Sequence, residues 1–145
     1  MNSKPFKEFS RYLSLDPNSQ ELLAELNNKK IRPFHLISRA IFKEIAKKLG
    51  ITEYKIRGQK RNYYEPVEMY FHSEHLYIHF EYEPEGGIDL FKKEFMFRYV
   101  RNIDDYIGGC NSWMSYKFLC ENPEKAAEYF KLALDNPKIP VILGF

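Results

Sequence analysis

Residues 66–83 read PVEMYFHSEHLYIHFEYE, and the alternation inside this stretch sets the fold class. Val67, Met69 and Phe71 alternate with Glu68, Tyr70 and His72; beyond Ser73-Glu74, Leu76, Ile78, Phe80 and Tyr82 alternate with His75, Tyr77, His79 and Glu81. A period of two is the pattern of strands that bury one face. Folding the chain back about Ser73-Glu74 predicts the pairs Phe71–Leu76, Met69–Ile78 and Val67–Phe80 on an apolar face. His72–His75, Tyr70–Tyr77 and Glu68–His79 then pair on the polar face. A one-residue slip would mix the faces, so the register is strongly specified. Ser-Glu lacks the Gly or Asn of tight two-residue turns, and a four-residue loop with the same pairing is the alternative.

Outward from the hairpin, the preceding residues are helical in pattern. Phe6, Phe9, Tyr12 and Leu13 recur every three or four residues and predict a helix over 4–15. Asp16-Pro17 stops it and opens a second, with Leu22, Leu23 and Leu26 as its stripe. Pro33 begins a third helix over 33–49, with Gly50 as its cap. Its inner stripe is Phe34, Ile37, Ile41, Ile45 and Leu49, widened by Leu36, Ala40 and Ala46. A strand is expected over 52–57, and a basic turn over 58–62. After the hairpin come a loop over 83–87 and a strand over 88–101, bent near Lys92-Lys93. Residues 113–120 fit no single pattern, with Asn111 or Ser112 available to cap a short helix there, and Asn122-Pro123-Glu124 opens a last helix burying Ala126, Ala127, Phe130 and Ala133. The apolar tail over 139–145 adds a strand or packs on the surface. Helices, then strands, then helices predict an α+β fold. We expect one domain over 1–145: helices over 1–50, an antiparallel meander of three to five strands over 51–101 centred on the hairpin, and C-terminal helices over 102–145 packed on the sheet.

With 145 residues, 44% of them hydrophobic, and 12 Phe and 11 Tyr, the chain has ample material for a core. The start MNSKPFKEF has no signal-peptide pattern, and no run approaches transmembrane length. The two cysteines, Cys110 and Cys120, make no disulfide framework. A soluble, cytoplasmic protein is the expectation. Its net charge of +2 divides unevenly: residues 1–62 hold 14 Lys and Arg against 6 Asp and Glu, residues 63–145 hold 8 against 14. Either the two halves form basic and acidic surfaces, or they neutralise each other within the fold.

The histidines invite a metal reading that spacing restricts. His72 and His75 as a cross-strand pair would lie about 5 Å apart. His79 lies four residues along the strand from His75, roughly 13 Å away, so one ion cannot use both. A site at the hairpin tip would need His72, His75, Glu74 and a further ligand; we assign neither metal nor cofactor. Glu68 beside His79 has the makings of an acid/base couple in which the carboxylate raises the imidazole pKa. GGCNSW, residues 108–113, would place Cys110 at a helix N-terminus, where the dipole favours a thiolate. Neither is accompanied by a nucleophile–base signature, and phosphate-loop, dinucleotide, HExxH and calcium-loop motifs are absent from the sequence.

Three functions follow in order. The first is a non-catalytic protein-binding module of inhibitor, immunity or adaptor type, whose partner contacts the Glu68, Tyr70, His72, His75, Tyr77, His79 and Glu81 face. The second is a nucleic-acid binder using the basic row of helix 33–49 and the segment after it: Arg39, Lys43, Lys47, Arg57, Lys60 and Arg61. The anionic neighbours of Tyr70 and Tyr77 argue against base stacking on the sheet. The third is a small hydrolase or transferase using Cys110 or Glu68–His79.

Overall fold

A computed structural model of the chain describes residues 1–16, 19–60, 66–82, 93–105 and 108–143. The helix boundaries follow local chemistry. α1 (Lys4–Leu13) carries Pro5 in its first turn, where a missing N–H costs nothing, and buries Phe6, Phe9, Tyr12 and Leu13. α2 (Gln20–Asn27) is capped by Ser19, whose hydroxyl accepts from the Leu22 N–H at 3.1 Å. Of its expected stripe Leu22 is buried, Leu26 packs partly buried against the core and Leu23 is exposed; at the rim of the helix Arg11 reaches both Glu21 and Glu25. α3 (Phe34–Leu49) ends as predicted at Gly50, which takes a left-handed φ of 70°. It buries Phe34, Ile37, Ile41 and Ile45, but the stripe widens toward Ser38 and Phe42 and leaves Leu36 exposed.

The sheet has six strands in sequence order: β1 (Tyr54–Lys60), β2 (Pro66–Ser73), β3 (Leu76–Glu81), β4 (Glu94–Tyr99), β5 (Ser112–Ser115) and β6 (Ile142–Leu143). β1 to β5 form an antiparallel meander, and β6 joins β5 in parallel. Between β5 and β6 the chain makes the crossover that parallel pairing requires, through α4 (Tyr116–Glu121) and α5 (Pro123–Asp135).

The expectation of three to five strands is therefore corrected to six. β1 starts later and runs further than predicted, carrying Gly58 inside the strand. The segment over 113–120, which fits no single pattern, divides between β5 and α4, and the helix cap falls on Ser115, which accepts from the Phe118 N–H at 3.0 Å, not on Asn111 or Ser112. The tail supplies β6: Val141 accepts from the Trp113 N–H at 2.7 Å, and its own N–H donates to Ser112 Oγ at 2.9 Å. The helix arrangement also differs, since α3 shares with the C-terminal helices the task of covering the sheet. The 61–62 part of the expected basic turn, the loop over 83–87, residues 88–92 with the start of the bend, Pro17, and residues 144–145 of the tail lie outside the described residues.

The hairpin forms, but its register is moved by two residues. Phe71 pairs with Ile78, Met69 with Phe80, His72 with Tyr77, Tyr70 with His79 and Glu68 with Glu81. Ser73 sets this register: its buried hydroxyl accepts from the Leu76 N–H and donates to the Leu76 carbonyl, both at 3.0 Å. That closes the turn around Glu74-His75. A shift of two preserves the faces, so the apolar side still meets the helices. Phe80 lies at the centre of an aromatic core, 4.6 Å from Phe42, 4.8 Å from Phe95, 5.5 Å from Tyr116 and 5.6 Å from Phe9 between ring centroids. α5 closes the other end of this layer through Phe130, 4.8 Å from Phe97.

Candidate functional site

All the helix packing falls on the Phe71–Phe80–Phe97 side, so alternation sends the intervening residues to a second face on which none of the described helices packs. Register then aligns one residue from every strand in a single row across that face: Arg57, Tyr70, His79, Met96, Trp113 and Ile142. On one side of this row lie Gln59, Glu68 and Glu81; on the other lie Lys55, His72, Tyr77 and Arg98. The face thus has a carboxylate end, a cationic end and an aromatic band between them.

The band is packed ring on ring. Tyr70 and His79 stack at 4.6 Å with planes 2° apart, His72 lies 5.1 Å from Tyr77, and the Arg57 guanidinium carbon sits 4.2 Å above the Tyr70 ring. Tyr70, Tyr77 and His72 are buried to 9%, 7% and 8% of full exposure, with none of the described helices on top of them. Burial outweighs the nearby carboxylates Glu81 and Glu68 and pushes the His79 pKa down, with Arg57 adding to the effect. The upward shift expected from Glu68 is thus corrected. Burial also lowers His72, helped by Arg57 and Lys55. Glu68 and His79, expected as direct partners, are diagonal neighbours, with Oε1 and Nε2 3.9 Å apart.

His75 belongs to a different place. It occupies the hairpin turn, where its Nδ1 donates to the Val100 carbonyl at 3.1 Å and its ring stacks on Tyr99 at 5.2 Å. The His72–His75 pair does not form, and the tip metal arrangement goes with it. Beside the tip, Glu53, Ser73, Glu74, His75 and Asn102 line an open cleft of ≈ 520 Å³.

The basic residues are divided. Arg39, Lys43 and Lys47 are exposed along α3, on the helical layer, whereas Arg57 projects from the opposite face of the sheet toward Tyr70. The Lys60 side chain and Arg61 lie outside the described residues. Cys110 precedes a strand, not a helix, so the dipole argument for a thiolate fails. Its Sγ donates to the Pro137 carbonyl at 3.4 Å, a structural tie between the β5 approach and the tail. Gly109 explains itself by packing: a Cβ there would lie 2.6 Å from the Tyr99 carbonyl oxygen. The other thiol, Cys120, is pushed up to about 12 by burial.

The feature that sequence reasoning missed is at the far edge of the row. Trp113, the one tryptophan of the chain, is 38% exposed and pairs across β5–β6 with Ile142, 65% exposed. Ile139, three residues earlier, is 63% exposed. These three are half of the six large apolar side chains left exposed among the described residues. The sequence signal was present in the apolar tail, but its pairing with Trp113 is a long-range register. No helix among the described residues is long and apolar enough to cross a membrane. No family model, curated protein or solved structure matches this chain.

Proposed function

We propose that the chain acts by binding another protein through the β5–β6 edge of the sheet face opposite its described helices, with Trp113, Ile139 and Ile142 as anchors. The observation that carries this reading is the exposed Trp113–Ile142 cross-strand pair. Tryptophan is enriched among residues that dominate interface energies, and clustered exposed apolar residues mark interaction sites. Docking is by side chains and not by strand addition: β6 is two residues long and is preceded by Lys138 and Pro140, devices that blunt a sheet edge. The exposed Lys138 beside Ile139 suits a partner with an acidic rim. Tyr70, His72 and Tyr77 support the surface from within, and Glu68, His79 and Glu81 lie further along the same face.

A photoreactive phenylalanine analogue at position 142, compared with one at the equally exposed Leu23 of α2, tests this in extract from the source cells. The expected result is one stoichiometric adduct with a different protein from position 142 and none from position 23. Equal labelling from both positions, self-adducts alone, or no adduct would overturn the reading.

A further inference from the structure

We propose that Glu68, His79 and Glu81 bind a divalent first-row transition-metal ion on the face of the sheet opposite the described helices. This goes beyond the protein-binding reading and rests on different residues, so either can fail without the other. The three come from two adjacent strands in a geometry that backbone pairing enforces: Glu68 stands directly across from Glu81, and His79 precedes Glu81 by two residues on the same face. One ligand atom from each lies within 4.8 Å of the others. Ligands around a tetrahedral ion with bonds of about 2.1 Å are roughly 3.4 Å apart, so side-chain adjustments of about 1 Å close the site.

His79 points to a ligand independently of the carboxylates. Its Nε2 is buried and has no hydrogen-bond partner among the described residues, and Glu68 Oε1, 3.9 Å away, is too distant to bond it. A buried ring nitrogen of this kind calls for a partner, and a cation between it and the two carboxylates provides one. The ring is already oriented by its stack on Tyr70, which reduces the ordering cost of ligation. Burial favours the neutral imidazole, the form that binds metal. Two carboxylates then balance the double positive charge. One imidazole and two carboxylates suit zinc, manganese or ferrous iron over the thiolate-seeking metals, and three protein ligands leave a position open to water or another ligand. Arg57, one strand over on the same row, opposes the ion.

Calorimetric titration of the chelator-stripped full chain with Zn²⁺ tests the site. The expected result is one ion per chain, weakened at least about tenfold in Glu68→Gln and in His79→Gln, since even residues one layer out from a metal have effects of that size. Glu74→Gln at the hairpin tip leaves it unchanged, and Arg57→Gln tightens it by about threefold. Absence of binding below about 1 mM, or wild-type affinity in His79→Gln, overturns the proposal. Should the variants unfold, Mn²⁺ broadening of amide signals in the wild-type chain gives a second reading. Broadening centred on residues 68, 79 and 81 supports the site, and broadening centred on 74 and 75 overturns it.

Discussion

The Tyr116 hydroxyl shows how much can rest on one group. It accepts from the Glu81 N–H at 2.8 Å and donates to the Glu81 carbonyl at 3.0 Å, from a ring buried beneath the sheet. Tyr116→Phe keeps the ring and removes this partner from two backbone groups, so it should cost about 1–3 kcal/mol in denaturant unfolding. A cost near zero would mean that the end of β3 is held by other contacts. The two histidines of the outer face make a pH prediction. Burial holds both His72 and His79 below their ordinary pKa, so between that lowered value and about 6.5 the unfolded chain binds more protons than the folded one. Their contribution to stability is complete above about pH 6.5 and is lost as pH falls through the lowered folded values. Melts recorded as a function of pH should show this slope in the wild type and a flatter one in a His72→Gln, His79→Gln double variant. At this scale the sequence showed which face each hairpin residue takes, because a period of two survives any even shift. It did not show the pairing itself, which depends on the Ser73 hydroxyl reaching both backbone groups of Leu76.

Among the elements, α3 and α5 were legible because each is long enough to repeat its stripe and ends at a recognisable residue, Gly50 for the one and Pro123 at the start of the other. β5 and β6 were not, since strands of four and two residues are too short to display an alternation. Both owe their place to long-range contacts, Met114 opposite Phe95 and Leu143 opposite Met114. The Gly108-Gly109 approach to β5 belongs to the same set of contacts: Gly109 lies against Tyr99 and its carbonyl accepts from Arg98 at 2.6 Å. Gly109→Ala should force the backbone away from β4 and destabilise the fold by about 1–3 kcal/mol, visible as a lowered melting midpoint. An unchanged midpoint would show that this approach yields without cost.

For the whole molecule, the organising fact is that a six-stranded sheet carries its described helices on one side and a chemically graded face on the other. The aromatic and histidine residues of that face were visible in the hairpin alone. Their alignment with Arg57, Met96, Trp113 and Ile142 required the register of five successive strand pairs, none of which local pattern specifies. In the proposed reading the interaction surface therefore shifts from the buried tyrosines toward the exposed edge. The most direct check is the affinity of the partner captured at position 142 for the wild-type chain, Trp113→Ala and Ile142→Asp, each first shown to melt as the wild type does. The account predicts that Trp113→Ala weakens binding by about 30-fold or more, the roughly 2 kcal/mol of an interface anchor, and that Ile142→Asp does at least as much. Affinities within twofold of the wild type in both variants would contradict it.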